Sequence, residues 1–210
     1  MPKQIIAADA LEWLPKNRRI GGLVLSPPDA DEIGADLITW KDWLMRATTM
    51  CFDATTGPIV FYTTDRRYNG RLVSKASIVY EVESRLGINT AWHKIVLRRG
   101  PEKTDLHRPT YTHMIALGER PGPTTADVIY RGDMLYPNAM GFHAAKVALD
   151  WISRYTDTVI DPFCGRGTIP AIADAMGMNA IGVDIDPDQC AYARKLKVSA
   201  DVLDMRTRAV

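Results

Sequence analysis

Short apolar runs alternate along this chain with segments in which apolar residues recur at helical spacing. The runs predict seven strands, at residues 4–8, 22–25, 58–63, 88–97, 111–117, 158–161 and 180–184. Strands that alternate with helices are typical of a parallel sheet whose strands are joined by crossover helices. The pattern therefore predicts an α/β fold with three layers.

Four helices accompany these strands. Residues 36–52 have apolar residues at steps of three and four, and residues 143–155 show the same period. A third helix follows Thr168 and ends at Gly177, which suits the residue after a helix. A fourth begins at Asp186-Pro187, because Asp as the cap and Pro at the first helical position are start signals.

The regular alternation breaks between residues 98 and 140. Two stretches there, RRGPEKTDLHRPT and GERPGPTTAD, are rich in Pro, Gly and charge, and they predict long loops on either side of strand 111–117. Long loops in compact domains usually carry function or are disordered. We therefore expect a single domain over residues 1–210, with a recognition or lid segment at 98–140 between the halves 1–97 and 141–210.

Composition places the chain among ordinary globular proteins. Hydrophobic residues make up 46% and charged residues 24%, which excludes bulk disorder. No apolar run approaches the roughly 18 to 20 residues that a membrane span needs, and the first residues lack the layout of a secretion signal. The three cysteines suggest neither a disulfide framework nor a zinc site. We expect a cytoplasmic protein without a metal, and a net charge of +1 means that any nucleic-acid partner must be argued from local patches.

The sharpest chemical signal is the segment DPFCGRGTIPAIADAMGMNAIGVDID, which begins at Asp161. A strand ends there in a glycine-bearing loop, and the next strand ends at Asp184, where a doubly wound sheet would hold a ribose hydroxyl. Pro170 replaces the small third residue of the dinucleotide fingerprint. Asp161 would repel a pyrophosphate but pair with an ammonium. S-adenosylmethionine, a nucleoside with an amino-acid tail and no phosphate, satisfies both observations, and a plain strand–turn–helix is the alternative.

A second motif, Ser26-Pro27-Pro28, follows the predicted strand 22–25. Base amino nitrogens are poor nucleophiles because their lone pair is delocalised into the ring. The Ser26 hydroxyl and the Pro27 carbonyl can accept the two N–H bonds of such an amine, which favours a lone pair pointing at a methyl donor. By itself the tripeptide is more simply a proline-rich strand terminator.

Together the two motifs resemble the class β amino-methyltransferases, permuted DNA methylases that modify exocyclic amines. In that family an (S/D/N)PP(Y/F/W) motif comes first and a DPFxGxGT motif comes last, as SPPD and DPFCGRGT do here. The resemblance implies a permuted Rossmann-like sheet of seven strands, with S-adenosyl-L-methionine as the methyl donor. It implies a catalytic set of Ser26, Pro27, Pro28 and Asp29. The implied cofactor-binding residues are Asp9, Ala10, Lys146, Asp161, Pro162, Phe163, Gly165, Gly167, Thr168, Asp184 and Ile185.

One position departs from the family. Its motif normally ends in an aromatic ring that stacks on a flipped base, and this chain has Asp29 there. Candidates to replace the ring are Trp40, Phe61 and Tyr62. Four acids within residues 29–36 would also repel phosphates. Asp29 could accept a hydrogen bond from the target base, or a residue of this acidic run, Asp29 or Asp31, could cap the next helix; we favour Asp29 lying outside the stack.

The middle of the chain carries a local excess of basic residues, five against two acids between residues 92 and 113. They predict phosphate contacts by Lys94, Arg98, Arg99, Lys103 and Arg108. Solvated loop charge is the alternative, because the excess is small. The segment is short for sequence-specific readout, so either the target site is short or a second subunit of a homodimer supplies contacts.

The sequence thus predicts a methyltransferase that acts on N4 of cytosine or N6 of adenine, in DNA more than in RNA. Ser26 in place of Asp leans toward cytosine in the family. Two alternatives stay open. An RNA or small-molecule amino-methyltransferase would have the same cofactor half, and a catalytically silent methylase-like subunit is kept open by the missing ring at Asp29.

Overall fold

The computed structural model describes residues 3–18, 21–55, 57–100, 103, 105–119, 121–122, 125–199 and 202–203. The strands in these ranges are β1 (Gln4–Ala7), β2 (Gly22–Leu25), β3 (Ile59–Thr63), β4 (Arg66–Tyr68), β5 (Arg71–Val73), β6 (Thr90–Leu97), β7 (Tyr111–Leu117), β8 (Val128–Tyr130), β9 (Thr158–Asp161) and β10 (Asn179–Asp184). The helices are α1 (Ala10–Trp13), α2 (Leu37–Ala54), α3 (Lys75–Leu86), α4 (Phe142–Ile152), α5 (Thr168–Ala175) and α6 (Pro187–Lys195). No helix in these ranges is long and apolar enough to cross a membrane.

One large sheet organises the molecule, with the strand order β1-β10-β9-β2-β3-β7-β6-β8. All seven predicted strands are present in it. Two features differ from the prediction. Strand β7 is antiparallel to both neighbours; the described residues of its connection from β6 form none of the crossover helix that a parallel arrangement would need. An eighth strand, β8, pairs with β6 at the edge, and its three half-exposed residues are too few to form a recognisable apolar run.

The helices cover both faces of the sheet, as the period of the strands requires. In β2, Val24 belongs to the apolar cluster formed with α4 and α5, whereas Leu23 and Leu25 belong to the cluster formed with α2 and α3. Side chains that alternate along a strand point to opposite faces of its sheet. The structure therefore has the predicted three layers of a Rossmann-like methyltransferase sheet.

The predicted helices are confirmed within a few residues, and their caps are local. The carboxylate of Asp36 accepts from the backbone N–H of Ile38 and Thr39, both at 2.9 Å, so Asp36 caps α2. The prediction that Asp29 or Asp31 caps this helix is wrong. A residue must lie directly before the first turn to reach its free N–H groups, and both of these acids lie several residues too early.

The hairpin β4–β5 and helix α3 were not predicted. The hairpin turns through Asn69 and Gly70, both with positive φ, which is the backbone that a two-residue hairpin loop requires. Helix α3 begins after the cap Ser74 and ends at Gly87, which adopts a left-handed conformation. Both segments insert between β3 and β6, and they bring a set of charged side chains to the end of β2.

Candidate active site

The direction in which the chain winds changes between β9 and β2. The unit β9–α5–β10 runs toward β1, while the unit β2–α2–β3 runs toward β7, and Leu23 of β2 lies opposite Ile160 of β9. In open α/β sheets, ligands bind at such a switch point, outside the carboxyl ends of the strands. Ser26 directly follows β2, and Asp161 ends β9. The fold therefore brings the two sequence motifs to neighbouring strand ends.

The loop after β9 is anchored by acidic side chains. The backbone N–H of Phe163 donates to Oδ1 of Asp161 at 3.1 Å, and that of Gly165 donates to Oδ2 of Asp184 at 2.7 Å. A third N–H, from Asp186, reaches the other oxygen of Asp184 at 2.9 Å. A carboxylate has about four acceptor positions, so two acceptor positions of Asp184 have no donor among the described residues.

Asp161 is a buried acid, and no cation pairs with it in the described part of the chain. Burial, with a smaller contribution from the charge of Asp184, raises the pKa of Asp161 to about 8, against the hydrogen bond from Phe163. Buried charges in proteins are normally paired. An unpaired acid at a strand end fits the ammonium of a methionine tail, so the site suits the predicted cofactor.

The strand beside β10 is the edge strand β1, and the chain that follows it contains the predicted cofactor residues Asp9 and Ala10. The N–H of Ala8 donates to the carbonyl of Asp184 at 2.9 Å, which places Asp9 beside that strand end. One oxygen of Asp9 caps α1 through Leu11 N–H at 2.8 Å, and Ala10 is buried beneath it. Ile185 is 72% exposed. An apolar side chain left in solvent beside Asp184 is suited to cover an adenine ring.

Close packing explains the glycines of this region. A Cβ on Gly167 would lie 2.8 Å from Cβ of Ala193, and its φ is +86°. A Cβ on Gly182 of β10 would lie 2.9 Å from Cγ of Pro170. The dinucleotide fingerprint uses a small residue at its third position to bring helix and strand close together. Here the small residue is Gly182 of the strand, so Pro170 fits in the helix.

The remaining predicted cofactor residues fall into two groups. Pro162 is buried, Phe163 is half-buried with its ring 5.6 Å from that of Trp43, and Thr168 bonds the hydroxyl of Tyr136 at 3.0 Å. Lys146, by contrast, donates to both oxygens of Asp150 at 2.8 Å. Its charge is balanced within α4 by Asp150, and a contact of Lys146 with the cofactor stays a prediction.

The Ser26-Pro27-Pro28 segment presents one free group and two held groups. Ser26 is exposed, and its hydroxyl has no hydrogen-bond partner among the described residues. The Pro27 carbonyl accepts from Nζ of Lys75 at 3.1 Å. The Pro28 carbonyl accepts from Nε1 of Trp40 at 3.0 Å. A hydroxyl and a carbonyl at one strand end can accept the two N–H groups of an amine.

Asp29 is a buried member of a partly exposed ion cluster, which we call the Asp29 cluster and define as Asp29, Lys75, Arg66, Arg108 and Asp31. Its carboxylate is 2.6 Å from Nζ of Lys75, 3.1 Å from Arg66 and 3.3 Å from Arg108. Arg66 also pairs with Asp31 at 3.0 Å. Two of the four acids of the expected negative patch, Asp29 and Asp31, are therefore paired with cations, and the carboxylate of Asp29 is engaged in ion pairs instead of capping a helix.

Burial excludes the three residues that were predicted to replace the missing ring. Trp40 and Phe61 are fully buried, and Tyr62 is 8% exposed. The indole of Trp40 supports the backbone of Pro28, and the ring of Phe61 packs against Phe52 with 6.3 Å between centroids. None of the three presents an open face on which a base could stack.

Of the five basic residues predicted to contact phosphates, one is buried and four reach solvent. Lys94 is 1% exposed, and its Nζ donates to the carbonyls of Thr125 and Ala126. Its prediction as a phosphate contact is wrong, because Lys94 points inward from β6. The others keep access to solvent: Lys103 is exposed, Arg98 donates to the Pro109 carbonyl, Arg99 pairs with Asp105, and Arg108 pairs with Asp29.

Sequence reasoning missed a chain of hydrogen bonds behind the Asp29 cluster. Tyr80 bonds Nδ1 of His93 at 3.0 Å, Nε2 of His93 bonds Nδ1 of His113 at 3.0 Å, and Nε2 of His113 bonds Asp65 at 3.3 Å. Burial, then the neighbouring His113, lower the pKa of His93. Asp65 in turn accepts from the backbone N–H of Lys75 at 2.8 Å. No sequence spacing links Tyr80, His93, His113 and Asp65. The packing of α3, β6, β7 and the turn after β3 brings them together.

No group of three or more His, Cys, Asp or Glu side chains in the described ranges is arranged to hold a metal ion. The residues present suit an organic cofactor with an ammonium and a ribose.

Comparison with known proteins agrees with this geometry. The family model described as DNA methylase, of the N6/N4 methyltransferase type, matches residues 33–195. A search of curated protein sequences finds no match. Among solved structures, the cytosine-N4-specific PvuII DNA methyltransferase is 14% identical, with a TM-score of 0.76 over 97% of this chain and 91% of that one. The putative DNA modification methylase TTHA0409 from Thermus thermophilus, complexed with S-adenosyl-L-methionine, is 21% identical, with a TM-score of 0.71 over 91% of each chain.

At these identities the solved structures establish the fold. The family match establishes the family, because it spans well over half of the chain. It covers both the acids at the ends of β9 and β10 and the Asp29-binding cations. The chain belongs to the DNA methylase family and is an S-adenosylmethionine-dependent methyltransferase that acts on nucleic-acid bases.

Proposed function

We propose that the protein methylates an exocyclic amine in DNA, N4 of cytosine or N6 of adenine. The observation that carries this proposal is the free hydroxyl of Ser26 at the end of β2, next to the unpaired acid Asp161 at the end of β9. One strand end offers acceptors for an amine, and its neighbour offers a counter-charge for a methionine tail. Methyl transfer needs both at one place.

The residues divide the work as follows. Asp161 holds the ammonium of the cofactor, Asp184 accepts from its ribose hydroxyls, and Ile185 with Asp9 borders its adenine. When bound, S-adenosylmethionine supplies an electrophilic methyl group. The hydroxyl of Ser26 and the carbonyl of Pro27 accept the two amine N–H bonds, which turns the nitrogen lone pair toward the methyl group. Both bonds strengthen as positive charge develops on the nitrogen, so they favour the transition state.

DNA is the proposed partner because the family is one of DNA methylases. Lys103, Arg98 and Arg99 supply positive charge on the loops around β7 that suits backbone phosphates. The serine of the motif favours cytosine over adenine. We also propose a homodimer, because the basic loops are short for reading a sequence alone. A cytoplasmic location is a further part of the proposal.

A labelled-methyl transfer assay tests the proposal. The wild-type protein is incubated with duplex DNA, single-stranded DNA, RNA and free nucleosides in parallel. We expect label on DNA, at N4 of cytosine or N6 of adenine when the product is digested to nucleosides. Transfer to RNA or to nucleosides alone would show that the protein is an RNA or small-molecule amino-methyltransferase instead. Transfer to none of the four, with the cofactor still bound, would identify a catalytically silent subunit.

A further inference from the structure

The diproline segment poses a problem of backbone support. Proline has no N–H, so the peptide between Pro27 and Pro28 can be fixed only through its carbonyl. The following peptide is held on both sides, because Trp40 donates to the Pro28 carbonyl and the N–H of Asp29 donates to Glu32 at 2.6 Å. The Pro27 carbonyl has one donor among the described residues, Nζ of Lys75 at 3.1 Å. That carbonyl is the one we assign to the target amine.

Lys75 occupies a position that stability alone disfavours. It is 4% exposed and is the first residue of α3, where the helix dipole disfavours a positive charge. A buried ammonium also requires a counter-charge. That counter-charge is Asp29 at 2.6 Å, at the position where the family motif has a ring. Departures from local rules at a site are expected where function requires them.

We propose that Lys75 is a positioning residue for methyl transfer, which fixes the Pro27 carbonyl toward the target amine, and that Asp29 balances its charge. One lone pair of the carbonyl accepts from Lys75, and the other stays available for the amine N–H. An unbalanced ammonium next to this carbonyl would oppose the positive charge that develops on the attacking nitrogen. The carboxylate of Asp29 removes that opposition. This inference rests on the proposed function.

The first experiment compares two buried lysines. Lys75→Met removes the donor to Pro27, and Lys94→Met is the matched control, because Lys94 is also buried and also donates to backbone carbonyls. For each variant, kcat and KM on duplex DNA, the cofactor Kd by calorimetry and urea unfolding are measured. Both variants lose stability. We expect only Lys75→Met to lose kcat, by about 10- to 100-fold, with KM and Kd within about twofold of wild type by the same reasoning.

The second experiment uses charge and keeps the proposal testable if Lys75→Met does not fold. Asp29→Asn removes the carboxylate nearest to the ammonium, and we expect kcat to fall by about tenfold while cofactor Kd stays within about twofold of wild type. Adding Asp29→Asn to Lys75→Met should lower kcat no further than Lys75→Met does alone, because the charge that Asp29 balances is then absent.

The outcomes separate the two claims. A wild-type protein that methylates no base defeats the proposed function, and the role of Lys75 with it. A wild-type protein that methylates DNA while Lys75→Met keeps its kcat refutes the positioning role alone. The charge-balancing role of Asp29 fails if Asp29→Asn keeps the wild-type kcat, or if its loss of kcat adds in full to that of Lys75→Met.

Discussion

The two sides of the site are built in different ways. On the cofactor side, Asp161 and Asp184 end adjacent strands, and both accept backbone N–H bonds from the loop that follows β9. On the target side, Asp29 is held by Arg66, Lys75 and Arg108, which come from three later segments. The cofactor side leaves an acid unpaired, whereas the target side pairs its acid three times. A binding site for a cationic ligand keeps a charge in reserve, while a site for a neutral base has its charges balanced internally.

The largest expected effect comes from Asp161, because it is the unpaired acid. Asp161→Asn keeps the shape and removes an acid whose ionised form is disfavoured by burial. We expect cofactor affinity to fall by about 100-fold or more, through loss of a charge-assisted bond, while the apo protein gains about 2 to 5 kcal/mol at neutral pH. Calorimetry and urea unfolding measure the two changes. Unchanged affinity would end the ammonium assignment.

The contribution of Asp161 to the stability of the wild-type protein depends on pH. The folded-state pKa of Asp161, about 8, is above its unfolded value, so folding favours the protonated form. Its contribution therefore lowers the stability of the apo protein as pH rises from about 4 to 8. Asp161→Asn removes this part of the slope. A wild-type and variant pair with identical slopes would show that Asp161 is ionised at ordinary pH in the apo protein.

Asp184→Ala should have the next largest effect. It removes the acceptor for the ribose hydroxyls, which corresponds to about 1.5 to 3 kcal/mol for hydrogen bonds to a charge, or roughly 10- to 100-fold in cofactor Kd. The N–H of Gly165 also loses its partner, so a small loss of stability accompanies the change. Glu119→Ala, at an exposed site just after the distant strand β7, serves as the control and should leave Kd unchanged.

Ser26→Ala tests the target side by itself. The hydroxyl is exposed and unpartnered in the described part of the chain, so stability and cofactor Kd should stay the same. Turnover on DNA should fall by about 10- to 100-fold, because the amine loses one of its two acceptors. Full turnover in Ser26→Ala would show that the target amine is positioned by other groups.

The smallest effect is expected for Lys146, and it sharpens the boundary of the cofactor side. Lys146 pairs with Asp150 on its own helix, and such pairs contribute about 0.3 to 0.5 kcal/mol. Lys146→Met should change cofactor Kd by less than about twofold on that basis. A tenfold loss of affinity would return Lys146 to the site, as the family resemblance implies.

The sequence by itself determined the elements and the ends at which chemistry occurs. Hydrophobic periodicity depends on which face of a strand or helix is buried, and this is a local property of the chain. It located the seven strands and the four helices, with Asp186 as a cap. Asp161 and Asp184 were placed correctly at strand ends because those ends lie a short distance apart in sequence.

The tertiary structure decided which strand ends meet and which charges are free. The neighbourhood of β2 and β9 follows from sheet order, and the exposure of a lysine follows from the layer above it. Lys94 and Lys75 appear in the sequence as ordinary basic residues, and only the fold buries both of them. Asp29 pairs with side chains 37 to 79 residues away in sequence. Such pairings follow from packing, which a local pattern does not contain.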